Sequence, residues 1–513
     1  MSESVKSILI VGGGTAGWIS AGVIAAAHHS TNEKTLKVTL VESPNVPTIG
    51  VGEGTWPTLR DTLRKMGISE KDFIRECDVS FKQGARFDNW VSGKQGDAYY
   101  HPLVLPQGYF DGNLVPVWQE ELSEKVSFAH AVTPQATLCD MNLAPKQIQT
   151  PDYAAVQNYA YHLDAGKLVE FIRKHCVEKL DVKHVLADVV KVSSLENGDI
   201  ESVETQQFGS ISADLFIDCT GFKSLLLGQH YKVPFKSCSD TLFIDRALAV
   251  HLPYASETET IASQTISTGQ SAGWIWDIGL YTRRGVGHVY SSEHTTEEGA
   301  MDELSDYVSQ TGHDLAKLTV RSIKIESGHR VRFWKNNCVA IGLSAGFLEP
   351  LEASALVLIE LSAQMIASQL PVNRAAMDIV AKRFNNKFLY RWARIIDFLK
   401  LHYVLTQRDD EPFWTDNCRH DTIPESLGEL LNLWRHQPPF HDDFDHKDEV
   451  FPSASWQFVL YGMGFKTNPN PRGITSREKI FSKKQFELTS SATQNMISHL
   501  STNRELLQQI RTL

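Results

Sequence analysis

Apolar positions over the first 42 residues form a strand–helix–strand pattern. Ile8–Val11 is an unbroken apolar run of strand length, an alanine-rich helical stretch follows to His28, and Leu36–Val41 gives a second strand closed by Glu42. Glycine and proline then crowd into SPNVPTIGVGEGTWP (Ser43–Pro57), a loop long enough to suggest function. Asp61–Cys77 reads as helix and Ser80–Trp90 as strand with a turn, while residues 91–150 read as loop-rich, with aromatic clusters such as Tyr99-Tyr100-His101-Pro102. Asp164 suits an N-cap for a helix running to Lys174. Short strands are predicted through 182–217, and strands at 241–254 and 273–291 belong to a further sheet. Cys338–Ser344 is a buried strand, and Ala345–Glu352 is a loop into a helix. From there the period is helical: 356–369, 373–405, 425–435 and 475–511, with Ile379, Phe384, Phe388, Trp392, Ile395 and Leu399 marking the second. The expected division is a first module, 1–370, with an inserted sheet at about 241–330, and a mainly helical module, 371–513, that roofs a pocket.

The first strand–helix junction carries chemistry. Gly12-Gly13-Gly14-Thr15-Ala16-Gly17 is G-x-G-x-x-G between a strand and a helix. Gly12, Gly14 and Gly17 permit a tight turn and close backbone approach, while Thr15 and Ala16 open a helix whose free N–H groups suit a pyrophosphate. Glu42, 25 residues past Gly17, is placed for a ribose hydroxyl. Two more strands end in small residues: DLFIDCTGF, with Gly221, and CVAIGLSAG, with Gly342 and then Leu348. Three glycine-bearing strand ends favour FAD over NAD. No second dinucleotide site for NAD(P)H is visible, so the flavin is expected to be reduced elsewhere. The expected fold class is α/β: an FAD-binding two-domain, Rossmann-like fold of the aromatic-hydroxylase kind, with an added sheet and a C-terminal helical module.

Composition narrows the partners. A net charge of -11 and a pI near 6.0 argue against nucleic acid. No uninterrupted apolar run reaches the roughly 18 residues of a membrane span, and the N-terminus lacks a signal-peptide pattern, so a cytoplasmic protein is expected. Seven scattered cysteines without a C-x-x-C predict neither disulfides nor zinc. The run His441–His446 fits no metal-ligand spacing and reads as solvated loop, so no metal is expected.

Seven stretches, in order, resemble the flavin-dependent tryptophan halogenase family: VGGGTAGW (Val11–Trp18), IGVGEGTWP (Ile49–Pro57), FKQGARF (Phe81–Phe87), YAYHLDAGKLVEF (Tyr159–Phe171), DCTGF (Asp218–Phe222), WIWDIG (Trp274–Gly279) and GFLEPLEASAL (Gly346–Leu356). The resemblance implies that FAD, reduced by a separate NAD(P)H-dependent flavin reductase, and oxygen convert a halide (chloride or bromide) to hypohalous acid. That species travels through a tunnel to a lysine beside an indole or other electron-rich aromatic. It implies Lys82 as catalytic lysine and Glu352 as catalytic glutamate, the backbone N–H groups of Ser354 and Ala355 as halide site, and Ile49, Gly50 and Val51 as cofactor contacts. Trp274 and Trp276 would screen substrate from flavin, and His101 would face the substrate; Trp456, in SASWQFVLYGMGF, reads either as a stacking face for the substrate or as a core indole. An ammonium suits hydrogen bonding to hypohalous acid, and burial would bring it toward haloamine chemistry. A carboxylate can stabilise a cationic ring intermediate and take its proton.

The sequence departs from the family at three points: Glu352-Ala353-Ser354-Ala355 stands where E-S-T-G is usual, Gly279 replaces a proline, and Leu103 replaces an aromatic, which marks an atypical member. A homodimer stays open, as do the natural substrate and the preferred halide. Two competing readings are an FAD-dependent aromatic monooxygenase and a non-catalytic flavoprotein. Neither needs the Lys82/Glu352 pair or the tryptophan screen.

Overall fold

Six strands lie side by side in the order Trp334–Lys335, Cys338–Ala340, Leu215–Asp218, Ser7–Val11, Lys37–Glu42 and Lys183–Leu186. All neighbours are parallel except the first pair. This computed structural model describes residues 4–28, 36–46, 52–444, 446 and 449–512, so the predicted cofactor contacts Ile49, Gly50 and Val51 lie outside the described residues. The apolar run of the first strand follows from its central place: Ile8 and Ile10 enter the main core, while Leu9 and Val11 enter a second cluster on the opposite face. Helix Thr15–His28 is buried along most of its length and packs on helix Ser354–Ser368. Among the described residues Leu351–Ser368 is the one stretch long and apolar enough to cross a membrane, and 67% of it is buried inside the protein.

The added sheet has seven strands, ordered Arg321–Lys324, Arg246–Pro253, Arg283–Tyr290, Gly273–Gly279, Thr265–Gly269, Gly84–Asp88 and Ala98–Pro102. Two of these come from far outside 241–330, because Gly84–Asp88 pairs in parallel with Thr265–Gly269. The predicted single strand Ser80–Trp90 is therefore two. Ser80–Lys82 belongs to a three-stranded sheet with Gly52–Gly54 and Ala160–Asp164, and the chain changes sheets at Gln83. Gln83 secures that joint through its backbone N–H to the Ser263 carbonyl (2.6 Å) and its side-chain amide to the Leu143 carbonyl (2.7 Å).

Helix 61–77 is two helices, Thr58–Lys65 and Glu70–Glu76, because Gly67 adopts a left-handed φ of +79° and Ser69 caps the second. Helix 475–511 also divides, into Ser476–His499 and Asn503–Thr512. The break frees Asn503, whose amide binds both backbone groups of Phe81, beside Lys82. The loop-rich 91–150 contains helices Val115–Glu121, Phe128–Val132 and Gln135–Asp140. An unpredicted helix, Ser453–Gly462, is buried on nearly every side, so it carries no amphipathic period.

A buried ion pair braces the strand that pairs with Lys82. Lys146 Nζ is 2.8 Å from Glu70 Oε2, and the same carboxylate accepts from the hydroxyls of Tyr159 and Tyr161. Lys146→Met strands a buried carboxylate and should cost about 3–5 kcal/mol in thermal or denaturant unfolding. Lys191→Met, at an exposed ion pair with Glu204, should cost less than about 1 kcal/mol. Equal losses would show that the buried pair is not a brace.

Candidate active site

The glycine-rich turn has the geometry of a dinucleotide cradle. A Cβ on Gly12 (φ +113°) would sit 2.1 Å from the Cys219 carbonyl oxygen, and one on Gly17 would sit 1.9 Å from that of Gly12. By contrast, Gly14 and Gly221 (φ +67°) have no atom within 4 Å of such a Cβ, so both open onto free space. Thr15 and Ala16 form the first turn of the helix, with no acidic residue there to occupy its N–H groups. Gly342, also left-handed at φ +67°, lets its loop approach Ala16. Leu348 is buried in the core. Glu42 lies over Gly13, and its Oε1 is 2.6 Å from His184 Nε2. The open glycines and uncapped first turn fit the pyrophosphate of FAD.

Lys82 and Glu352 come together from 270 residues apart in the chain, both buried. Burial pulls the Lys82 ammonium down to about 8, against the opposing charge of Glu352. Among the described residues no hydrogen bond or ion pair engages its Nζ. Burial pushes the Glu352 carboxyl up, but His101, His402 and Lys82 outweigh this and hold it below the usual range. His101 Nδ1 is 2.8 Å and His402 Nε2 3.4 Å from the same oxygen, Oε1. A carboxylate only accepts, so His101 Nδ1 donates its proton, while His402 Nε2 turns its own N–H toward the oxygen without completing a hydrogen bond. His402 Nδ1 then accepts from the Tyr99 hydroxyl (2.6 Å), and burial keeps this histidine neutral by lowering it to about 3.

Glu352 (φ +63°) and Ala353 (φ +53°) are two successive left-handed residues without glycine. The Trp56 indole N–H holds the turn by donating to the Glu352 carbonyl at 2.8 Å. Ser354 and Ala355 follow as the first helical residues, and no side chain caps this N-terminus. Its leading N–H groups are therefore available to an anion.

Trp274 and Trp276 share one face of strand Gly273–Gly279, both buried. Trp274 Nε1 donates to the Tyr403 hydroxyl (3.1 Å), which donates to Glu349 Oε2 (2.7 Å). Burial lifts Glu349 to about 7 against the pull of Tyr403, Trp274 and Lys400. Trp276 lies over Gly287, its direct partner on the next strand, where a Cβ would be 2.1 Å from the indole. His101 is ringed by Trp56, Phe398, Phe451 and Phe458 at 5.5–6.4 Å between centroids. Its Nε2 is buried with no partner among the described residues. Trp456 stands one ring further out, against Phe398 at 5.1 Å, and donates to the Phe451 carbonyl.

Comparison with known proteins shows the family. The tryptophan halogenase family profile matches residues 7–477. The chain belongs to that family. It is 31% identical to tryptophan 6-halogenase SttH of Streptomyces toxytricini over 98% of both chains, and 30% identical to tryptophan 7-halogenase RebH of Lentzea aerocolonigenes over 99% of both. A solved tryptophan halogenase from Shewanella frigidimarina NCIMB 400 matches with a TM-score of 0.96 at 48% identity, covering 99% of this chain and 98% of that one. As a member of the tryptophan halogenase family, this chain is a flavin-dependent halogenase with the FAD-binding two-domain fold. It uses FAD and a halide, with reduced flavin from a separate reductase.

Sequence reasoning missed Trp56, Tyr99, Glu349, His402 and Tyr403. Trp56, Tyr99 and Glu349 stood inside quoted motifs, but none had a stated role. A signal for His402 was available, since it is a histidine within the apolar face of a long helix.

Gly14→Val should leave the fold intact and abolish the thermal shift produced by FAD, because its side chain enters only the open cradle. Gly12→Val should lower stability even without FAD, because its side chain meets the Cys219 backbone. A full FAD shift in Gly14→Val would place the cofactor elsewhere.

Proposed function

We propose that this halogenase acts on a tryptophan-like substrate, an indole or similarly electron-rich aromatic. Lys82 delivers the halogen, and Glu352 assists the substitution. One observation carries the reading: a buried ammonium with no hydrogen-bond partner among the described residues shares a site with a carboxylate kept ionised by two histidines, next to an uncapped helix N-terminus. Family membership supports the substrate class, since SttH and RebH carry tryptophan halogenase names.

Bound FAD, already reduced, supplies the oxidising chemistry that turns oxygen and halide into hypohalous acid. Gly12, Gly14, Thr15, Ala16, Gly17, Glu42, Gly221, Gly342 and Leu348 would hold the FAD, and the motif Ile49, Gly50 and Val51, outside the described residues, is assigned to the same role by resemblance alone. The N–H groups of Ser354 and Ala355 hold the halide. Trp274 and Trp276 keep substrate and flavin apart, so the oxidant reaches the ring only by way of Lys82. With its ammonium near 8, Lys82 holds the neutral oxidant by hydrogen bonding or as a haloamine. Glu352 opposes the positive charge that develops on the ring and takes the ring proton. His101 faces the substrate through its unpartnered nitrogen, and Trp456 backs the aromatic wall. The same proposal takes 1–370 as the FAD module and 371–513 as its cover, in a soluble cytoplasmic enzyme without a membrane or nucleic-acid partner, its oligomeric state left open.

Lys82→Ala should bind FAD normally and yield no halogenated product from an indole panel supplied with reductase, FAD, NADH and bromide. Lys82→Arg should not rescue, since arginine stays protonated. Glu352→Gln should slow product formation by ~10²–10⁴-fold. Chromatography with mass detection reads all three. Wild-type product from Lys82→Ala would remove Lys82 from the chemistry. Omitting the reductase should stop turnover, and rapid NADH oxidation by the protein alone would contradict the need for that partner.

A further inference from the structure

The buried carboxylate of Glu349 has no part in the chemistry assigned above, and no ion pair explains it. Among the described residues no cation comes within ion-pair distance of it. Lys400, the cation whose charge acts on it, bonds instead to the Asn417 side-chain oxygen at 2.8 Å and lies over the Phe243 ring at 4.8 Å. The groups that do reach Glu349 belong to the tryptophan screen and the helix behind it. Tyr403 donates to Oε2 at 2.7 Å, and Trp274 Nε1 donates to the Tyr403 oxygen at 3.1 Å and stands 3.5 Å from Oε2 itself. Oε1 is buried without a partner among the described residues.

An indole nitrogen only donates, so the tyrosine oxygen must accept from it, and the single tyrosine proton is committed to the carboxylate. The chain of bonds therefore has one direction, from Trp274 to Tyr403 to Glu349. It holds in either ionisation state, because a proton on the carboxyl sits on Oε1 and leaves Oε2 as the acceptor. Burying a carboxylate without a countercharge is costly, and it lifts Glu349 to about 7. An apolar side chain of similar size would fill the space without that cost, but would leave the Tyr403 hydroxyl nothing to donate to.

The same groups tie the screen to the catalytic turn. Glu349 and Glu352 are three residues apart in Glu349-Pro350-Leu351-Glu352, and neighbouring residues of helix Arg374–Val404 meet them: Tyr403 bonds to the first, and His402 faces the second. Trp90 packs into this corner, its ring 5.2 Å from that of Tyr403 and 6.2 Å from those of Trp274 and His402. Trp276 needs no such device, since its indole is wedged over Gly287.

We propose that Glu349 and Tyr403 are positioning residues that fix the Trp274 indole as a wall between substrate and flavin. The inference rests on Trp274 as part of that screen. With the chain of bonds intact the indole has one orientation. With it broken the ring is held by packing alone, the wall loosens, and reducing equivalents are used without bromination.

The test is single-turnover bromination of an indole with pre-reduced FAD and bromide, read as brominated product per FAD supplied. Losing one buried hydrogen bond lowers the ratio of held to loose indole by roughly tenfold. Tyr403→Phe, which removes only the hydroxyl, should therefore lower the yield roughly two- to tenfold with an unchanged FAD thermal shift. Glu349→Met should repeat the loss. Glu349→Gln, whose side-chain oxygen still accepts from Tyr403, should keep the wild-type yield. Trp274→Phe should lower the yield as well, and adding Tyr403→Phe to it should change nothing further, because the hydroxyl acts only through the indole. Wild-type yield in Tyr403→Phe, a loss in Glu349→Gln equal to that in Glu349→Met, or a further loss in the double variant overturns the positioning role. Wild-type yield in Trp274→Phe overturns instead the screen on which that role rests, and absence of brominated product from the wild type overturns the substrate assignment.

Discussion

The centre of this enzyme depends on the left-handed turn at Glu352-Ala353. Two non-glycine residues in this conformation cost roughly 1–2 kcal/mol each, so the surroundings must hold them there. The Trp56 indole fixes the Glu352 carbonyl, Ala353 N–H returns to the Pro350 carbonyl, and two histidines converge on the carboxylate. The turn aims Glu352 into the site and starts helix Ser354–Ser368 without a capping side chain. Carboxylate and anion-ready backbone thus sit side by side, and neither consumes the other.

The second constraint is the place where two sheets share one stretch of chain. Lys82 ends a strand in the three-stranded sheet, Gly84 begins one in the seven-stranded sheet, and His101 pairs back across Ala85. A change of sheet within two residues keeps lysine and histidine close while they belong to different layers. Asn503, from the last helix, clamps Phe81 on the open side of that strand. The far C-terminus therefore contributes to the seat of Lys82.

Ionisation in the site follows from burial more than from pairing. Desolvation draws Lys82 down to about 8, keeps His402 neutral and lifts Glu349 to about 7 beside Trp274. Glu352 escapes because three donors or cations face it. The result is one ionised carboxylate opposite a cation that can lose its proton near neutrality, an arrangement suited to a neutral electrophilic oxidant.

The amino-acid sequence by itself determined the glycine-rich turn and the strand–helix–strand pattern around it, because close backbone approach and buried-strand patterning are local properties; Lys82 and Glu352 stood out only through the resemblance of their motifs to a known family. The division of Ser80–Trp90 between two sheets was not legible, since strand pairing with Thr265–Gly269 is decided 180 residues downstream. Nor was the break before Asn503, which exists to reach Phe81. The ring around His101 and the His402 contact with Glu352 came only from tertiary structure. Helix Arg374–Val404 shows an apolar face in the sequence, but which of its buried residues meets a carboxylate depends on packing against strands hundreds of residues away. Local pattern encodes burial and period, whereas a hydrogen bond across the core requires both partners to be placed.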